Sequence, residues 1–417
     1  MMMSTACGVD FGTSNSTVGW VRPGHPTLLP LEDGKPTLPS AVFFHTEEPR
    51  VSYGRAAMAD YLDGYEGRLL RALKSVLGTS LMDGQTELTG GAVPFRTLLA
   101  RFILELKQRA EASAGREFSR AVLGRPVHFV DGDPRADLRA QDTLAEVARE
   151  AGFTDIVFQY EPLAAAFELE SRMQDEALVL VADIGGGTSD FTLVRLGPRR
   201  AGRADRREDI LAHGGVHIGG TDFDKYFSLA RVMPLLGLGT HMASGKDVPS
   251  TQYVNLASWH TIPLAYSRKV WGQLGEIYSM AADKEKVGRL LELVRRRAGH
   301  WLALQVEEAK IALSGSDAAR IGMDRITAGL AVDTTRQEFE QAVAHLAERI
   351  GDTVQTLLRD AGTARDAVDA VFLTGGSSSI PLLRRHLAEQ FPQARQLDGD
   401  MFGAIGIGLA IDASRRL

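Results

Sequence analysis

Cysteine is almost absent. Cys7 is the only one in 417 residues, so no intramolecular disulfide can form, which fits a reducing compartment. It lies in the apolar run leading to Asp10 and reads as a small core residue rather than a nucleophile. Excess basic charge is absent too: 47 Lys and Arg stand against 53 Asp and Glu, a formal net charge of -6. Nucleic acid is therefore not an expected partner. The one short basic cluster, residues 199–207, contains Asp205 and is followed by Glu208 and Asp209, and it reads as a solvated hairpin tip. No apolar run is long enough to span a membrane, and no basic-then-apolar leader opens the chain, so the expected location is the cytoplasm. His-Glu-x-x-His and Gly-x-Ser-x-Gly motifs are missing. The nearest approach to a P-loop, residues 239–247, has Gly245-Lys246 followed by Asp247 where a hydroxyl is required.

Glycine is plentiful, and it is placed with a pattern. Val9-Asp10-Phe11-Gly12-Thr13-Ser14-Asn15-Ser16 is echoed by Ala182-Asp183-Ile184-Gly185-Gly186-Gly187-Thr188-Ser189-Asp190. Each phrase has an apolar run ending in aspartate, a glycine turn with hydroxyls, and a second apolar run. This pattern predicts two hairpins, with strands over 5–10 and 16–21 and again over 177–183 and 191–196. Further strands are expected at 40–44, 121–129, 156–158, 210–213 and 370–373. Helices are expected at 96–114, 137–151, 162–172, 381–391 and 404–413. A hairpin start followed by strand–helix units, occurring twice, is a duplicated α/β fold. The expected division is a first lobe over 1–176, a second lobe over 177–400 with an insertion at 224–330, and a closing helix over 401–417 returning to the first lobe. The stretch 237–299 opens with irregular glycines, carries Trp259 and Trp271, and leads into one long helix over 285–313. Its tryptophans read as buried in their own subdomain rather than as a partner surface.

A glycine turn lets backbone N–H groups approach phosphate oxygens, because no Cβ stands in the way. Gly12, Thr13, Ser14 and Asn15 form one such turn, and Gly185, Gly186, Gly187 and Thr188 the other. Asp10 and Asp183 stand just before them. A carboxylate there would repel phosphate unless a cation came between, and Mg²⁺ held through water is the natural choice. A third turn, Gly375-Gly376-Ser377, follows a strand and permits close approach of a flat nucleoside. A fourth is Gly219-Gly220-Thr221-Asp222. His213 and His217 would suit a metal at helical spacing, but they fall in a strand and turn, so a metal site there is not expected. Gly403, Gly406 and Gly408 read as a close-packing face.

Together these residues resemble the actin-like ATPase fold, and most closely the nucleotide-binding domain of the seventy-kilodalton heat-shock chaperones. The resemblance covers nearly the whole chain. It runs through the two phosphate phrases, Glu161-Pro162-Leu163-Ala164-Ala165-Ala166-Phe167, Gly219-Gly220-Thr221-Asp222-Phe223-Asp224 and Leu373-Thr374-Gly375-Gly376-Ser377. It implies an α/β fold of two ribonuclease H-like lobes, each with a mixed sheet and flanking helices, around a nucleotide cleft. The implied ligands are ATP or ADP with Mg²⁺. Lys74 resembles the lysine that contacts the phosphates and the attacking water, and Glu161 the carboxylate that orients water. Asp10 and Asp183 resemble the magnesium holders acting through water, and Thr188 the γ-phosphate contact. Glu307, Lys310 and Ser314 resemble the ribose and adenine contacts, and Asp400 a residue closing the adenine pocket.

Departures accompany the match. The adenine-stacking arginine is replaced by Ser379, and the other flanking position is Ile311. The arginine that engages J-domain partners aligns with Val157, so ordinary J-domain cochaperones are not expected. The usual Val-Pro-Ala-Tyr-Phe phrase reads Gly124-Arg125-Pro126-Val127-His128-Phe129. The matched motifs run out near Leu417, and the expectation is a short family branch without the peptide-binding domain. The implied function is a Mg²⁺-dependent ATPase switch or chaperone acting on a protein client. The alternatives are a non-hydrolysing nucleotide sensor or adaptor, an actin-like filament protein, and a small-molecule kinase using Asp190 as base.

Overall fold

In each hairpin, apolar residues before the glycine turn extend into a buried strand, and the residues after it fold back antiparallel. In the computed structural model, which describes residues 6–22, 25–48, 50–88, 91–130, 132–201, 203, 206–400 and 403–417, β1 (Ala6–Asp10) pairs with β2 (Asn15–Arg22), and β2 with β3 (His25–Leu28). On its other side β1 runs parallel to β4 (Arg120–Arg125), and β4 parallel to β5 (Asp155–Tyr160). The second sheet repeats this plan. Its central strand β6 (Ala177–Ile184) is antiparallel to β7 (Ser189–Leu196), which pairs with β8 (Ile210–Val216). β6 is also parallel to β9 (Ala370–Thr374), and β9 to β10 (Arg395–Asp398). The orders β5-β4-β1-β2-β3 and β10-β9-β6-β7-β8 are the same topology twice. Asp10 and Asp183 therefore sit at the carboxyl ends of equivalent central strands, where open α/β sheets bind ligands. Thr5, Asp205 and residues 401–402, assigned from sequence to a strand, a hairpin tip and the closing helix, lie outside the described residues.

The helices bury the faces their periodicity marks. Phe95–Ala114 buries Leu98, Leu99, Phe102, Ile103, Leu106 and Ala110. The closing helix Ala404–Arg416 packs on the helix Glu161–Glu170 and on β1, β2 and β4, while Glu161–Glu170 packs on β6 and β7. Glycine makes the contact possible. A Cβ on Gly408 would lie 1.7 Å from the Ala164 carbonyl oxygen, and one on Gly8 would lie 2.3 Å from the Ala410 nitrogen.

The chain divides into two compact units. One comprises Met1–His217, Ile350–Ser378 and Arg385–Leu417 and holds both sheets; the other comprises Ile218–Arg349 and Ser379–Arg384. No described helix is long and apolar enough to cross a membrane.

Four sequence expectations need correction. β4 stops at Arg125 rather than running to 129, because Pro126 has no N–H to continue a ladder and the Arg125 guanidinium turns onto the Pro126 and Val127 carbonyls. The expected helix over 285–313 is two helices, Lys284–Arg295 and Gly299–Gly315, broken where Arg297 adopts a φ of 50°. Trp259 is half-buried against the His300 ring, but Trp271 is 43% exposed, so the insertion does not bury all its aromatics. The basic cluster is not wholly a solvated tip. Arg206 is buried, donates to Glu170 at 2.7 Å and pairs with Asp209, which Arg200 also bonds.

Candidate functional site

The two glycine turns meet. A Cβ on Gly186 would lie 2.2 Å from Ser14 Oγ, and one on Gly187 would lie 3.3 Å from Thr13 Oγ1. The hydroxyl residues of the first turn thus face the bare backbone of the second. The turn Gly185–Thr188 is closed by the Gly185 N–H donating to the Thr188 carbonyl at 2.9 Å. The third turn joins them. Gly375, at φ 81°, leaves no room for a Cβ, which would lie 2.5 Å from both Asp183 Oδ1 and the Ile184 carbonyl oxygen. Ser377 Oγ donates to the Gly185 carbonyl at 2.9 Å. Gly12, Thr13, Ser14, Asn15, Gly185, Gly186, Gly187, Thr188, Gly375, Gly376 and Ser377 are therefore one constellation built on the ends of β1, β6 and β9.

Beneath the turns stands a charged cluster. Lys74, on the short turn Leu73–Val76, is buried and donates through Nζ to Glu161 Oε1 at 2.5 Å. The segment enters this turn through Ala72 at φ 59°. Glu161 begins its helix directly after β5, and Gly124 makes space for it: a Cβ there would lie 3.1 Å from Glu161 Cγ. Burial alone would lower the Lys74 pKa, but Glu161 and Asp10 outweigh it and raise it, so the ammonium is firmly charged. Burial, reinforced by Glu161, pushes Asp10 up to about 7. Burial with Glu161, Asp190 and Asp10 holds Asp183 far above the ordinary carboxylate range. Asp190, opposite Asp183 in the hairpin register, is raised by burial to about 6. Its Oδ1 accepts from the Val127 N–H at 3.0 Å, and the Thr188 side chain also bonds this carboxylate. Four carboxylates thus surround one ammonium. A divalent cation with its waters fits that surplus of negative charge, and the bare turn above fits phosphate oxygens.

The other expected contacts belong to the second unit, apart from Asp400. There Gly219 and Gly220 open the helix Gly220–Arg231, with Asp222 accepting from the Gly219 N–H at 3.1 Å. Lys310 is buried, lies 2.8 Å from the Asp224 carboxylate and donates to the Gly220 carbonyl. Ser314 donates to the Lys310 carbonyl at 3.4 Å, and Glu307 is half-buried on the same helix. Ile311 beside them is 62% exposed. Asp400, in the first unit, is exposed and accepts through its carbonyl from the start of the closing helix. His217 bonds the Phe129 carbonyl at 3.1 Å and His213 lies against Tyr160. From sequence, Asp190 is a candidate only as a kinase base. Its place opposite Asp183 was readable from the hairpin, whereas the role of Gly124 depends on packing that spacing does not show.

The chain matches the family model described as Hsp70 protein over residues 86–230 and 283–414. It belongs to that family. It is similar to a chaperone protein HscA homolog of Azoarcus sp. (strain BH72), 27% identical over 427 aligned residues, which cover 98% of this chain and 58% of that relative. The chain therefore spans less than two thirds of that relative's length. The repeated sheet topology and the facing turns are, in this Hsp70 family member, the actin-like ATPase fold expected from the motifs.

Proposed function

We propose that this Hsp70-family chain is a magnesium-dependent ATPase switch that binds a protein client in one nucleotide state. The observation that carries the reading is the buried Lys74–Glu161 pair, set among Asp10, Asp183 and Asp190 beneath two facing glycine turns. Backbone N–H groups of both turns and the hydroxyls of Thr13, Ser14 and Thr188 hold the phosphates. Asp10 and Asp183 would hold Mg²⁺ through its waters, and the ion would neutralise charge on the phosphate oxygens. Lys74, fixed by Glu161, faces the γ-phosphate and positions the attacking water. Water attacks the γ-phosphorus while the bond to the ADP oxygen breaks, giving ADP and phosphate. Asp190, buried opposite Asp183 and raised by burial to about 6, is suited to accept the water's proton. Gly219, Gly220, Glu307, Lys310, Ser314 and Asp400 are the nucleoside contacts that the motif resemblance implies, and a conformational change on nucleotide binding is the switch. The family and the relative named as a chaperone support a protein client.

Calorimetric titration tests the ligand. The wild type is expected to bind ATP and ADP in the presence of Mg²⁺. Gly186→Val, which drives a side chain into Ser14, is expected to weaken binding about tenfold or more without changing the far-ultraviolet circular dichroism. The absence of binding heat for the wild type at any ATP concentration would refute the reading.

A further inference from the structure

The helix Arg268–Met280 buries only Leu274. Trp271 is 43% exposed, Tyr278 37% and Met280 49%. Trp271 and Tyr278 are seven residues apart and share a face. Gly275 lies between them and Gly272 about 100° round the helix, and a Cβ at either would meet no described atom beyond the helix's own backbone within 4 Å. Interior helix glycine costs roughly 1 kcal/mol relative to alanine, and no packing among the described residues requires it here. The result is bare backbone at Gly275 between two exposed rings, on a helix face that is normally covered.

The charge around this face has a sign. Arg268 and Lys269 are exposed at one end, and Lys284 lies 5.8 Å from the Tyr278 ring centroid. At the other end the Met280 carbonyl accepts from Ala243, in the turn that carries exposed Lys246. No ion pair involves these four cations among the described residues. The acids packed near them are Glu276, which is exposed, Asp247, paired with His241, Asp283, paired with Lys286, and Glu285, paired with Arg289. A basic, aromatic face therefore stands on a chain whose net charge is -6. An isologous dimer through this face would set its cations against themselves.

We infer that the Trp271–Tyr278 face is a docking site for an acidic protein segment that carries apolar or aromatic anchors. The anchors sit on the bare backbone at Gly275 between the two rings, and the segment's carboxylates meet Arg268, Lys269, Lys284 and Lys246. This inference is independent of the nucleotide reading.

The test is a selection from a random dodecapeptide phage library against the full chain, with counter-selection on Trp271→Ala/Tyr278→Ala. Enriched peptides are then measured by fluorescence anisotropy. The expected peptides are acidic with one or two large apolar residues. Their binding is expected to weaken about tenfold or more in the double alanine variant and in Lys269→Glu/Lys284→Glu, and to weaken as salt is raised. Unchanged circular dichroism and thermal midpoint keep the variants comparable. Enrichment of basic or uncharged peptides, or of none that depend on the two rings, would overturn the inference. So would dimerisation in sedimentation velocity that the double alanine variant abolishes, since that assigns the face to a second copy.

Discussion

Lys74 shows what a single residue contributes and how much of it sequence can carry. By local pattern it is an ordinary surface lysine. Its burial and its bond to Glu161 depend on a partner 87 positions away. The motif resemblance singled it out; composition and periodicity could not. Removing it strands four buried carboxylates, so Lys74→Ala is expected to lose about 3 kcal/mol in chemical denaturation, the scale of breaking a buried pair. Arg206 went unread for the same reason, since its partners Glu170 and Asp209 became visible only when the chain was folded. Asp10 gives a pH prediction. Its folded pKa, about 7, is raised above the ordinary value of 3.8. Its contribution to stability is therefore full below the unfolded pKa and is lost as pH rises through about 7. Asp10→Asn should raise the thermal midpoint of the nucleotide-free protein relative to wild type, by an amount that grows between about pH 4 and pH 7 and is level above that. A difference that is flat with pH would contradict the assignment.

At the scale of elements, the hairpins and most helices were legible because alternation and helical periodicity were strong and the turns were punctuated by glycine. The closing helix was legible in a finer way, since Gly406 and Gly408 marked a face of close approach. The break in the expected 285–313 helix was not. Arg297 carries no sequence signal for a left-handed conformation, and the apolar periodicity continues across it. Two glycine substitutions should therefore behave in opposite ways. Gly408→Ala would place a methyl on the Ala164 carbonyl and prise the closing helix from Glu161–Glu170. A loss of about 2 kcal/mol or more is expected by urea denaturation. Gly272→Ala faces open space and should stabilise the chain by up to about 1 kcal/mol.

For the whole molecule, the duplicated sheet plan was readable from the repeated aspartate–glycine phrase, and the structure gives both sheets the same strand order. The meeting of the turns through Ser14 and Gly186 depends on how the two hairpins pack, which neither phrase shows by itself. The exposure of Trp271 is not legible either, because an aromatic in an insertion reads first as core and only the folded chain leaves this one 43% exposed. The central claim is that the constellation hydrolyses ATP, and single-turnover release of γ-labelled phosphate tests it most directly. The wild type with saturating ATP and Mg²⁺ should release phosphate. Lys74→Ala and Thr188→Ala, confirmed by calorimetry to bind ATP, should each be slowed about a hundredfold or more. No phosphate release from the wild type, or release by both variants at the wild-type rate, would contradict the account.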